Sequence, residues 1–165
     1  MKSMKWLLRN FELVIGSVFM ALTFCIVVMN IFTRYFLHFT YPWGEEVAVA
    51  CFIWVIFMGV AYGFRTHFLI GVEAVVKLFP ERGQEVIRAI TDAIVLVIAA
   101  VMLYFSSIYV FTSTKITAAL EIDYIYINIS ITIAFALIVV YAAIHLYKQI
   151  RYLAGGKPFE RGGSF

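Results

Sequence analysis

Charged side chains are scarce in this 165-residue sequence: Asp, Glu, Lys and Arg make up 14% of it, against 64% hydrophobic residues. Soluble domains usually carry about 25% charged residues. A chain this apolar has too little polar surface to cover a soluble globule, which leaves an unusually apolar soluble helical domain as the minor alternative. The net charge of +3 is also too small to suggest nucleic acid as a partner.

Catalytic and metal-binding motifs are missing as well. The two cysteines, Cys25 and Cys51, stand inside apolar runs, without the spacing of a disulfide framework or a metal site. No P-loop, zinc motif or nucleophile constellation occurs. No apolar segment has an acidic centre or a break of Pro and Gly near its middle, as half-helix transporter sites often have. These absences predict no catalytic residue, cofactor or metal, and favour a partner subunit over a complete pump.

Four apolar segments are long enough to cross a bilayer, whose core needs roughly 20 residues of helix. They are predicted at about Phe11–Thr33, Val47–Phe64, Ala93–Ser113 and Ile125–Tyr147. The sequence therefore predicts an all-α membrane protein with a single four-helix transmembrane domain over residues 1–153. The remaining residues, 154–165, are rich in Gly and charge and are predicted to form a flexible cytoplasmic tail.

The basic residues predict the orientation of these spans. Lys and Arg accumulate in the cytoplasmic loops of membrane proteins. The N-terminal segment, the connection between spans two and three and the C-terminal segment hold all the basic residues except Arg34 and Lys115. Both termini are therefore predicted to be cytoplasmic.

The connection between spans two and three contains a short amphipathic pattern. Its apolar residues recur at i, i+3, i+4 and i+7, with charged residues on the opposite face, and Pro80 would end the helix. Such a segment predicts a helix lying flat in the cytoplasmic interface, and accidental periodicity in a connector is the alternative. The apolar face consists of Val72, Val75, Val76 and Phe79.

Polar residues gather where span one ends and span two begins. Asn30 and Arg34 are one helical turn apart, and Glu45 and Glu46 follow after a short loop. An unpaired charge in a membrane is costly, so Arg34 is expected to pair with one of the glutamates. The two glutamates point about 100° apart on a helix, which leaves the other free to face a lipid headgroup or another protein.

A stripe of residues continues from Glu45 along span two and ends in Gly59 and Gly63. These glycines form a GxxxG pattern, which lets helix backbones approach closely. The pattern predicts a packing surface, either within this chain or against a partner.

Two further constellations offer alternatives. Asp92, four residues after Arg88, is either half of a boundary pair or an ion or proton site. His67 and His145 lie near the inner ends of spans two and four, where haem ligation would require them to reach into the bundle.

The order of these residues resembles the small membrane subunit, called the Q or DctQ-type subunit, of tripartite ATP-independent periplasmic (TRAP) transporters. The resemblance is most specific over residues 30–73. This sequence differs from the usual pattern of the family in having Glu73 where Asp is common and in lacking a proline near the start of span four. The resemblance is carried by Asn30, Arg34-Tyr35, Trp43, Glu45-Glu46, Phe52, Trp54, the segment "MGVAYGFRTHFLIGVE" and the later "LFPER".

The resemblance implies a bacterial inner-membrane protein that serves sodium-coupled transport of an organic acid, a dicarboxylate or a sialic acid. A large membrane subunit would carry the substrate and sodium, and a periplasmic binding protein would deliver the substrate. The small subunit would brace the large one within the lipid and help dock the binding protein. A self-contained homo-oligomeric transporter using Asp92 is the alternative, and a membrane cytochrome is a third. The expected structural and partner-interface residues are Asn30, Arg34, Trp43, Glu45, Glu46, Gly59 and Gly63.

Overall fold

Four long helices account for most of the chain. The computed structural model describes residues 10–66 and 81–153. Within them, α1 spans Phe11–Phe36, α2 Pro42–Arg65, α3 Glu81–Thr112 and α4 Ile125–Leu153. Each contains a stretch long and apolar enough to cross a membrane, which confirms the prediction of an all-α protein with four such helices. The predicted interfacial helix and the predicted C-terminal tail lie outside the described residues.

The helices extend beyond the predicted spans. α2 begins at Pro42 instead of Val47, because proline suits the first turn of a helix, where its missing N–H and fixed φ cost nothing. α3 begins at Glu81, well before the predicted Ala93. Apolar composition identifies only the part of a helix that can face lipid, whereas the hydrogen-bonded helix continues into charged residues at its end.

The helices lie in a row and do not surround a common axis. In the described residues, backbone contacts join α1 to α2, α2 to α4 and α4 to α3, and no other helix pair comes within 8 Å between Cα atoms. The edge helices α1 and α3 are accordingly little covered, with 6% and 11% of their apolar stretches buried, against 28% for α2 and 22% for α4. The row leaves broad apolar faces open to lipid or to a partner subunit.

The core lies along α4, which packs against both α2 and α3. It is built mainly of alanines, with one alanine from α2, one from α3 and two from α4. Lipid tails are as apolar as the helices, so helix association in a membrane depends on close van der Waals packing, which small side chains allow. The buried core residues are Ala61, Phe64, Ala99, Ala134, Ile138 and Ala142.

Polar and aromatic side chains add specific links between neighbouring helices. The hydroxyls of Ser106 on α3 and Thr132 on α4 are 2.7 Å apart and share a hydrogen bond. Trp54 on α2 stacks on Phe19 of α1 and donates its indole N–H to the carbonyl of Tyr126 on α4, at 3.3 Å. The Trp54 side chain thus connects α2 to both of its neighbouring helices.

The row has two distinct ends. The loop end carries the connections 37–41 and 113–124, and the terminal end carries residue 10, the end of α2, the start of α3 and the end of α4.

We expect Ala142→Leu to destabilise the helix row, because Ala142 is fully buried in the core and extra methyl groups in a packed core cost about 1–3 kcal/mol. Thermal unfolding of the purified protein in detergent measures the effect. Ala143→Leu is the matched control, because the neighbouring Ala143 is exposed. Equal melting temperatures for the two variants would contradict the packing described here.

Candidate functional sites at the two ends of the helix row

Glu46, in the first turns of α2, holds the long connection at the loop end. Its two carboxylate oxygens accept hydrogen bonds from the backbone N–H groups of Ala119 and Leu120, at 2.9 and 3.1 Å. Hydrogen bonds to an ionised acceptor are about twice as strong as neutral ones. Glu46 therefore fastens the connection between α3 and α4 onto the start of α2.

The connection 113–124 is itself folded. The Thr117 N–H donates a hydrogen bond of 2.9 Å to the Ile122 carbonyl. The Ile122 N–H donates one of 3.1 Å to the Thr117 hydroxyl. Glu121, at the turn between them, has a left-handed backbone with φ of 53°. The result is a small hairpin, which is joined to Glu46 by its tip.

Glu45 does not bond the hairpin, and it lines a cavity of about 390 Å³ between α1 and α2 that Arg34 also lines. The expected ion pair is not formed: across residues 10–66 and 81–153, no ion pair links Arg34 to Glu45 or Glu46. That prediction was wrong for Glu46 because the backbone amides of the hairpin occupy its carboxylate. Sequence spacing could not reveal these amides, which are more than 70 residues away.

The side chain of Asn30 occupies the space beside Gly44, the residue that precedes the two glutamates. A Cβ on Gly44 would lie 2.7 Å from the Nδ2 and 2.8 Å from the Oδ1 of Asn30. Real Cβ atoms essentially never come this close to another atom, so a side chain at residue 44 would require the Asn30 side chain to move. Asn30 thus has a packing role at the loop end.

Trp43 belongs to an aromatic group on the same surface. Its ring centroid lies 5.7 Å from that of Tyr41, which in turn packs edge-on against Phe39. Trp43 also lines a second cavity of about 570 Å³ with Glu45, Glu46 and the hairpin residues Ala118 and Ala119. This amphipathic surface could contact either a membrane interface or a protein.

Gly59 and Gly63 make no packing contact with the rest of the described chain. A Cβ at either position would meet nothing within 4 Å. Gly59 instead lines an open groove of about 700 Å³ between α1 and α2, together with Gly16 and Ser17. Of the two interpretations of the GxxxG pattern, packing within the chain finds no support in the described residues.

A buried ion pair, which the sequence interpretation missed, joins three helices at the terminal end. The Glu12 side chain is fully buried, and its Oε2 lies 3.1 Å from a guanidinium nitrogen of Arg65. The Tyr141 hydroxyl donates to the other carboxylate oxygen, and Arg65 donates to Asn10 Oδ1 at 3.1 Å. The guanidinium also lies against the rings of Tyr62 and Tyr141, at 5.4 and 5.9 Å. The sequence did contain a signal for this pair, because Glu12 is in the first turn of α1 and Arg65 is in the last turn of α2.

Asp92 lies between α3 and α4. It is buried and accepts a hydrogen bond of 2.8 Å from the side-chain amide of Gln149, which is also buried. On the next turn of α4, His145 stacks on Phe64 with ring centroids 5.8 Å apart. The other histidine considered for haem ligation, His67, lies outside the described residues.

Comparison with known proteins identifies the family. A model of the DctQ component of tripartite ATP-independent periplasmic transporters matches residues 23–152. The chain belongs to this family. DctQ proteins are non-enzymatic transporter components.

A curated relative agrees with this identification. Over 85 residues, the chain is 26% identical to the C4-dicarboxylate TRAP transporter small permease protein DctQ of Vibrio cholerae serotype O1. The match covers 52% of this chain and 37% of the relative, so the chain spans little more than a third of the relative's length.

We expect Glu46→Ala to release the hairpin from α2. The backbone amides of Ala119 and Leu120 lose their acceptors and should exchange with deuterium faster, by about tenfold if the two bonds together contribute 1.4 kcal/mol. Hydrogen–deuterium exchange of the connection 113–124 tests this. Glu45→Ala is the control, because Glu45 does not bond the hairpin. Unchanged exchange in Glu46→Ala would show that the hairpin does not depend on this carboxylate.

We expect Glu12→Gln to destabilise the protein by about 3–5 kcal/mol, because it removes the carboxylate partner of a largely buried arginine. Reversible unfolding in mixed detergent measures the loss. The double variant Glu12→Gln/Arg65→Gln should recover much of it, since no buried charge then lacks its partner. Additive losses in the double variant would mean that the two side chains are not coupled.

Proposed function

We propose that this DctQ component braces the large membrane subunit of a sodium-coupled, binding-protein-dependent organic-acid transporter. The open row of helices supports this role most directly. α1 contacts only α2 in the described backbone, and the open groove between them includes the small residues Gly16, Ser17 and Gly59 beside larger apolar side chains. A transmembrane helix of the large subunit would bury this surface.

The proposed contact surface is the groove face formed by Gly16 and Ser17 on α1 and Gly59 on α2, with Gly63 one turn further along. Small residues are enriched where membrane helices pack closely. Large side chains would keep an incoming helix at a distance, whereas here its backbone can approach both helices.

The second proposed role is docking of the periplasmic binding protein at the loop end. In the proposed orientation, both chain termini are cytoplasmic and the loop end faces the periplasm of a bacterial inner membrane. The excess of Lys and Arg in the segments at the terminal end supports this orientation. Trp43 and the hairpin held by Glu46 would form part of the docking surface.

The proposed substrate is a C4-dicarboxylate, for which the Vibrio cholerae relative is named. Sialic acid is the other organic acid that the family resemblance suggested. The alternative of a self-contained transporter would require Asp92 to bind an ion or a proton. Its hydrogen bond to Gln149 between two packed helices supports a structural role instead.

The deciding experiment is reconstitution of this chain, its cognate large membrane subunit and the cognate binding protein in liposomes. Uptake of succinate driven by an inward sodium gradient should require all three proteins, with sialic acid as the competing substrate. Succinate uptake by this chain alone would overturn the proposal. Purification of the chain as a homo-oligomer without a larger membrane partner would also contradict it.

We expect Gly59→Leu to reduce co-purification of the large subunit, because a branched side chain would fill the groove between α1 and α2. The ratio of the two subunits after affinity purification measures assembly. Ala100→Leu is the control, because Ala100 is exposed on the distant edge helix α3. An unchanged subunit ratio in Gly59→Leu would place the contact with the large subunit on another face.

A further inference from the structure

The cavity between α1 and α2 at the loop end has an amphipathic lining. Arg34, Glu45 and Thr40 provide charged and polar groups, whereas Val27, Ile31 and Val49 are apolar. Val27 lies seven residues before Arg34 on α1, about 10 Å deeper along the helix. Val49 lies one turn deeper than Glu45 on α2. The two charged groups therefore lie nearer the loop end, and the apolar groups lie deeper, together with the amide of Asn30.

The two charges of this cavity are available to a ligand. The described part of the chain contains no ion pair of Arg34 or of Glu45, although both line the same 390 Å³. The carboxylate of Glu46 accepts hydrogen bonds from the hairpin amides and forms no ion pair with Arg34. One cationic and one anionic side chain thus line the same cavity without pairing.

This arrangement selects among amphiphilic ligands by charge. A zwitterionic headgroup can place its anionic group at Arg34 and its cationic group at Glu45, while an acyl chain follows Ile31 and Val49 into the membrane. An anionic headgroup would gain the contact with Arg34 but would bring a negative charge close to Glu45. A primary ammonium is well suited to Glu45, because it donates up to three hydrogen bonds.

We propose that this cavity binds a zwitterionic phospholipid of the phosphatidylethanolamine class, with its phosphate at Arg34 and its ammonium at Glu45. The lipid would fill the space between α1 and α2 at the loop end and neutralise both charges. This site is independent of the proposed transport substrate, and it differs from the groove near Gly59, which lies further along the same two helices.

The complete transporter, purified in mild detergent and placed in nanodiscs of equal phosphatidylethanolamine and phosphatidylglycerol, provides the test. Lipids that remain bound after re-extraction are identified by native mass spectrometry. The wild-type complex should retain an excess of phosphatidylethanolamine. Arg34→Gln should lower this retention about three- to tenfold, as expected for loss of one charge-assisted contact at a partly exposed site. Glu45→Gln should lower it similarly and increase the share of phosphatidylglycerol.

Lys115→Gln and Glu121→Gln are the matched controls, because these exposed charges belong to the hairpin connection and not to the cavity. They should leave lipid retention unchanged. Retention of the two lipids in the ratio of the nanodisc by the wild-type complex would overturn the proposal. It would also be overturned if Arg34→Gln and Glu45→Gln kept the lipid but lost the large subunit, since side chains of that protein would then occupy the cavity.

Discussion

The buried ion pair between Glu12 and Arg65 is the constraint on which the arrangement of the helix row depends. Hydrophobic burial cannot bring helices together in a lipid environment, so their relative positions are set by packing and by polar contacts. The Glu12 carboxylate binds α2 through Arg65 and reaches across to α4 through Tyr141, although the backbones of α1 and α4 do not touch. An edge helix with little buried surface is thereby fixed at the terminal end.

Glu46 has the corresponding role at the loop end, where it joins the start of α2 to the hairpin between α3 and α4. The two carboxylates act at opposite ends of the row, and close packing of alanines fills the middle. The membrane-facing sides therefore need no polar residues, and they remain available to lipid and to a partner. In the proposed accessory role, this division would separate the contacts that hold the chain together from the surfaces used for assembly.

Much of the fold follows from hydrophobic length alone, because a bilayer requires about 20 apolar residues for each crossing. All four helices were predictable on this basis. Their boundaries were not, because the helices that begin at Pro42 and Glu81 start well before their apolar stretches. The partners of the charges were less predictable. Arg34 and Glu46 are close in sequence and do not pair, whereas Glu12 and Arg65 are far apart and do. Such pairing depends on how the helices are ordered in space, which no local pattern records.

The order of the row also constrains how the protein can be made. α3 contacts α4 but not α2 in the described backbone, so α3 has no neighbour in this chain until α4 has been synthesised and inserted. A nascent chain with three helices consists of an α1–α2 pair and a separate third helix. The last helix supplies both the contact for α3 and the tyrosine that completes the Glu12 site. Assembly of the row therefore depends on α4. A chain truncated before α4 would have an α1–α2 pair and a third helix joined to that pair only through the connecting segment of the chain.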